Sequence, residues 1–157
     1  MSEFLNTWKE RLFRYMARNS DPTVAECVSH ILESIKVLKD VSFEVKESDF
    51  YQDVEKMLAS QKLIENIGEA FRYWCKNDPL AKETYEYLPI GDWIAAKNVL
   101  NHGYHRVSFK ILWDTIQIDI PHLEGAMSQL PAEITEGLVP ASYLNTERLI
   151  LGLIPKI

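Results

Sequence analysis

Residues 109–130 read Phe109-Lys110-Ile111-Leu112-Trp113-Asp114-Thr115-Ile116-Gln117-Ile118-Asp119-Ile120-Pro121-His122-Leu123-Glu124-Gly125-Ala126-Met127-Ser128-Gln129-Leu130. Phe109, Trp113, Ile116, Ile120, Leu123, Met127 and Leu130 recur every three or four positions. That repeat averages about 3.5 residues, the pattern of a helix packed lengthwise in a bundle. Ser108 stands where a helix cap is expected, and Pro121 should kink the helix it begins. Working outward, the same periodicity is found upstream. Val24, Cys27, Val28, Ile31, Leu32, Ile35 and Leu38 form one stripe of a helix over Thr23–Lys39, with His30 off it. Asp21 and Pro22 read as its N-cap and first residue.

A long helix is expected over Asp49–Asn77, after a connector from Val41 to Ser48. Val54, Met57, Leu58, Ile64, Ile67, Phe71 and Trp74 form its apolar face. Gly68 interrupts it at a cost of about 1 kcal/mol against alanine, which points to close approach of another helix. Asn77-Asp78-Pro79 ends it, and one short helix fits before Leu88. Pro89-Ile90-Gly91-Asp92 reads as a turn delivering Asp92 as the cap of a helix that Gly103 terminates. Residues 4–16 form an amphipathic pattern (Phe4, Trp8, Leu12, Met16) suited to packing on the body, with membrane or partner binding as alternatives. Beyond Pro131 the periodicity weakens into two short helical pieces separated by Pro140. The reading is an all-α, up-and-down bundle of four to five main helices. It has an N-terminal extension (1–22), a bundle domain (23–130) and a C-terminal extension (131–157).

Composition is that of a folded globular chain: 157 residues, 46% hydrophobic and 25% charged. The net charge of −6 excludes a protein that coats nucleic acid with its whole surface and leaves room for a local basic site. Cys27 and Cys75 sit in apolar helical patterns, as buried reduced thiols would; a disulfide is the alternative. Charges interrupt residues 1–18, so no secretory signal is read there, and no run reaches the length of a membrane span. A cytoplasmic protein with no membrane association is expected.

Two cysteines and four scattered histidines give no metal-ligand spacing, so neither a metal nor another cofactor is expected. Glu65 and Glu69, four apart, read as a solvated helix face. The stretch from Trp93 to Trp113 stands apart, because it carries no carboxylate in an acidic chain, while Lys97, His102, His105, Arg106 and Lys110 fall within it. Asn98 and His102 are four apart and share a helix face. His102 occupies the last turn, where the helix dipole favours a cation. Tyr104 follows at the helix exit. A fixed cation with a proton-exchanging imidazole suits phosphodiester chemistry assisted by a ribose 2′-OH. A purely structural helix-end histidine is the alternative.

These residues resemble a known family. Pro89-Ile90-Gly91-Asp92-Trp93, followed by Lys97-Asn98-Val99-Leu100-Asn101-His102-Gly103-Tyr104, is similar to the HepT-like branch of the HEPN superfamily, whose signature is an Arg-Asn pair and then His-x-Tyr. Glu65-Asn66-Ile67-Gly68-Glu69-Ala70 looks like that family's Ile-Gly-Glu-Ala helix. Val107–Ile116 with Asp119–Leu123 is similar to its final helix. The likeness covers roughly residues 23–130.

The resemblance implies a homodimeric, metal-independent endoribonuclease toxin acting on RNA. It also implies a minimal nucleotidyltransferase antitoxin that adenylylates the tyrosine. By position, Lys97, Asn98 and His102 would be catalytic and Tyr104 the AMP acceptor. Arg106 and Lys110 are read as holding RNA backbone, with a solvated face as an equal alternative. A catalytically silent scaffold binding a nucleotidyltransferase or a nucleotide is the alternative. The family's arginine is Lys97 here, which keeps the charge and loses the planar two-pronged contact to phosphate.

Overall fold

A computed structural model describes residues 21–103 and 107–136, and every regular element among them is helical. The elements are α1 (Val24–Ser42), α2 (Glu47–Phe50), α3 (Val54–Asn77), α4 (Ala81–Thr84) and α5 (Ile90–His102). There follow α6 (Phe109–Asp114), a π-helical turn (Thr115–Asp119), α7 (Ile120–Met127) and α8 (Ala132–Thr135). The expected N-terminal amphipathic helix and the chain beyond Glu136 lie outside the described residues.

Helix α3 is the central post, with α1 and α5 packed on it, and α7 and α8 close on α1. The stripe expected on α1 is buried at Cys27, Val28, Ile31, Ile35 and Leu38. From α3, Ile64, Ile67, Phe71 and Trp74 meet it. Trp74 stacks with Phe71 at 6.0 Å and meets Tyr85 at 5.4 Å. Side chains of this size each stabilise the fold by roughly 1.5–3 kcal/mol when removed from water. Polar ties fix the helix ends, where Lys39 bonds Glu124 at 2.8 Å and Asn77 donates to the Pro22 carbonyl at 2.7 Å. Lys76 pairs with Asp21.

Several boundaries differ from the sequence reading, each for a local reason. The cap of α1 is Thr23, two residues beyond Asp21. Its hydroxyl accepts from the Glu26 amide at 3.2 Å while the Glu26 carboxylate accepts from the Thr23 amide at 2.7 Å, a reciprocal capping box. The long central helix begins at Val54, where Asp53 caps it by accepting from the Lys56 amide. Residues Glu47–Phe50 make a separate turn that seats Phe50 against Trp113 at 5.2 Å. Val54 and Leu58, expected on the apolar face, are 60% and 61% exposed. Helix α5 begins one turn earlier than expected, with Pro89 as its cap residue and Asp92 inside its first turn.

In the stretch that decided the fold, the buried repeat starts at Leu112 and continues through Ile116, Ile120, Leu123, Met127 and Leu130. Phe109 is 49% exposed, and Trp113 is only half-buried. Just before Pro121 the helix widens into the π turn, in which the Ile120 amide bonds back to the Thr115 carbonyl. Proline has no N–H to donate and crowds the carbonyl four residues earlier. A wider turn at that point admits it without ending the helix.

Candidate functional site on helix α5

Helix α5 buries Ile90, Trp93 and Leu100 against α3, and Lys97 completes that face at helical spacing. Gly68 of α3 makes the close contact. A Cβ at that position would overlap the Lys97 Cβ and the Trp93 carbonyl oxygen. The absence of a side chain thus lets the backbone of α3 touch α5, as the isolated glycine in the sequence led one to expect. The aliphatic stem of Lys97 lies in this contact while its ammonium reaches outward, the usual compromise of a half-buried lysine. Its side chain is 17% exposed.

The ammonium ends 2.8 Å from Glu69 Oε2. Glu69 is held from the other side by Arg72. There Nε donates to both carboxylate oxygens at 3.1 Å, and Nη2 donates to Oε1 at 2.6 Å. The Arg72 guanidinium in turn lies over the Tyr73 ring, 4.3 Å from its centre, a cation–π contact. Hydrogen bonding from Arg72, reinforced by Lys97, brings the Glu69 carboxyl down to about 2 against partial burial. The same bond raises the Arg72 guanidinium. Glu69 is therefore an ionised, doubly bonded member of the α3–α5 contact, which corrects its reading as solvated helix face. Glu65 departs from that reading too, its side chain being only 16% exposed.

A polar cleft of about 300 Å³ opens beside this contact, lined by Lys62, Glu65, Asn66, Glu69, Lys97 and Asn101. Asn98 and His102 are exposed on α5. At about 100° per residue, Lys97, Asn101, Asn98 and His102 follow one another around an arc of roughly 140°, over five residues of rise. The structure thus sets a cation at the wall of a cleft and an imidazole on the open surface at the same helix end. Gly103 closes the helix by donating its amide to the Val99 carbonyl at 2.8 Å. Tyr104 and Arg106 lie outside the described residues. Lys110 is on α6, paired with Asp114 at 2.6 Å and Glu47 at 3.4 Å.

Sequence reasoning set Glu69 aside as solvated helix face and did not single out Arg72 or Asn101. The signals were an opposite-charge pair three apart on α3 and an amide four residues beyond Lys97, both ordinary neighbours on a helix surface. Among the described residues, no three His, Cys, Asp or Glu side chains converge as metal ligands would. No described helix is long and apolar enough to cross a membrane.

An all-α chain with a cation, an amide and a histidine at one helix end defines a class, and comparison with known proteins narrows it. Residues 31–130, well over half of the chain, match the family described as Ribonuclease HepT-like. The chain belongs to that family. It is 31% identical over 101 residues to a Thermococcus cleftensis protein named "Probable ribonuclease HepT", an alignment covering 64% of this chain and 88% of that one. It is 32% identical over 108 residues to a "Putative RNase" of Caldanaerobacter subterraneus, covering 66% and 89%. A Methanocaldococcus jannaschii protein named "Gamma-glutamylcyclotransferase and putative RNase" is 29% identical over 108 residues, 68% of this chain. The match spans about half of that relative, 47% of its length. No solved structure matches the chain.

Proposed function

We propose that the protein is a metal-independent endoribonuclease, the toxin of a pair whose other member is a minimal nucleotidyltransferase antitoxin. The observation that carries this reading is the arc from Lys97 to His102, free of carboxylates along α5 beyond Asp92, in a chain of the HepT-like family. His102 takes the proton from a ribose 2′-OH, which attacks the adjacent phosphorus, and the 5′-oxygen leaves with a proton returned to it. Lys97 stabilises the charge that builds on the phosphate oxygens. Asn98, on the same strip as His102, orients substrate or ring, and Arg106 and Lys110 contact RNA backbone. The chain acts as a homodimer. Adenylylation of Tyr104 sets phosphate charge against the cationic helix end and shuts RNA out. Residues 1–22 and 131–157 are extensions on the bundle, and the site of action is the cytoplasm.

The test is cleavage of RNA by the purified chain in chelator. His102→Ala should abolish it, and equal cleavage by the variant would sink the assignment. Incubation with the nucleotidyltransferase and ATP should add AMP at Tyr104, read by mass spectrometry.

The Lys97–Glu69 ion pair favours a second reading, because it engages the ammonium within the protein. In that reading the chain is a catalytically silent scaffold for a nucleotidyltransferase or a nucleotide. Lys97→Arg separates the two. No cleavage by either form, with a stable complex to the nucleotidyltransferase, decides for the scaffold.

A further inference from the structure

We infer that Glu69, clamped by Arg72, is the positioning residue of this site, fixing the Lys97 ammonium where an RNA phosphate meets it. The inference rests on the ribonuclease reading and extends it from α5 to α3. A lysine is a compact charge on a flexible four-carbon stem, and holding one still costs rotamer freedom. Here that freedom is already spent. The stem is wedged at Gly68, whose missing Cβ leaves room for Lys97 Cβ, and the head is bonded to Glu69 Oε2 at 2.8 Å.

Charge and donor accounting show that this contact orients the cation without cancelling it. Glu69 accepts three hydrogen bonds from Arg72, so the guanidinium offsets the carboxylate. The trio Glu69, Arg72 and Lys97 keeps one net positive charge, and Lys97, its less exposed cation at 17% against 43% for Arg72, is the one on the cleft wall. An ammonium has three N–H donors. One is directed at Glu69, and two remain for phosphate oxygens on the cleft side, where Lys62, Glu65, Asn66 and Asn101 complete the wall and Lys62, 3.7 Å from Glu65, offsets that carboxylate. Without Arg72, the bare carboxylate would neutralise Lys97 and repel the phosphate. Arg72 therefore sets how much charge the site presents, and Glu69 sets where.

Two readouts test this on the full chain. The first is acylation of lysines by an amine-reactive reagent, followed by mass spectrometry. Glu69→Gln should raise labelling at Lys97 several-fold and leave Lys36 and Lys82 unchanged. The second is RNA cleavage. Misplacing a group by about 1 Å can cost up to 100-fold, so Glu69→Gln should lower kcat by about tenfold or more, with KM little moved. In a Lys97→Met background the same substitution should cost nothing further, because Glu69 acts through Lys97. Arg72→Met should instead act mainly on KM, since it exposes an uncompensated carboxylate to the substrate.

Unchanged Lys97 labelling in folded Glu69→Gln overturns the inference, as does a cleavage loss that adds in full to that of Lys97→Met. Should Glu69→Gln fold poorly, Arg72→Met carries the test alone, and an unmoved KM refutes it. Raised labelling with no cleavage by any form leaves Lys97 held by Glu69 and overturns the nuclease reading instead.

Discussion

Gly68→Ala isolates the contact on which the site depends. Alanine is favoured over glycine inside a helix by about 1 kcal/mol, so propensity alone predicts a more stable protein. Packing predicts the reverse. The added methyl would overlap both the Lys97 Cβ and the Trp93 carbonyl oxygen. Neither is the free end of a flexible side chain: one is anchored next to the backbone and the other belongs to it. Relief requires moving α5 away from α3. Overpacking of a closed contact costs about 1–3 kcal/mol, and two overlaps with unyielding atoms put this case at the upper end. The balance is a net loss of about 2 kcal/mol. For a chain of this length that corresponds to roughly 6 °C in Tm.

Urea unfolding followed by circular dichroism would measure the loss as a lower midpoint at unchanged slope. Gly125 is the internal control. Nothing lies within 4 Å of a Cβ built there, so Gly125→Ala in α7 should stabilise by up to about 1 kcal/mol. A Gly68→Ala protein as stable as the wild type, with Gly125→Ala behaving as expected, would refute the close α3–α5 contact. It would also remove the reason for Lys97 to stand where it does.

Two further predictions bear on the frame and the site. Thr23→Ala removes half of the reciprocal cap of α1 and should cost about 1 kcal/mol, seen as a lower urea midpoint; no change would mean that the chain ties at Asp21 and Pro22 hold that end alone. Acid should act through Glu69, whose carboxyl falls from an ordinary 4.5 to about 2 in the folded protein. A carboxyl lowered by folding contributes stability that is present above 4.5 and lost as pH falls toward 2. Wild type should therefore lose more stability than Glu69→Gln between those limits, and parallel losses would show that the Arg72–Glu69–Lys97 contact adds nothing measurable in solution.

The helical class and the burial of α1 and α3 were legible because a one-sided core leaves a 3.6-residue period in the sequence. The boundaries were less so, since competing signals sat within two residues of one another. Asp21-Pro22 and Thr23 both read as helix starts, and only the reciprocal bonds to Glu26 select the second. The exposure of Val54 and Leu58 was hidden for another reason. Their spacing fits the apolar stripe, yet in the first turns of α3 both stay exposed to solvent. At residues 115–119 a π turn absorbs a residue ahead of Pro121, and a repeat counted in ordinary helical steps through that point misplaces Phe109 and Trp113.

The site shows the same division. Lys97, Asn98 and His102 announced themselves because positive residues in a carboxylate-free window of an acidic chain are conspicuous. Glu69 did not, because its partners are 3 and 28 positions away and only the α3–α5 crossing joins them. That crossing also changes what the lysine means. Read along the chain, Lys97 is an arginine that has lost its fork. In the fold, the fork is already present as Arg72, and it occupies the carboxylate from the far side. What remains open to residue 97 is a single bond to Glu69 Oε2, which suits an ammonium on the cleft wall, a group with two further donors. A second planar guanidinium would compete with Arg72 for the same two oxygens. The lysine is thus the cation that fits this carboxylate, and the property to be compared across the family is the pair of residues 69 and 97 together.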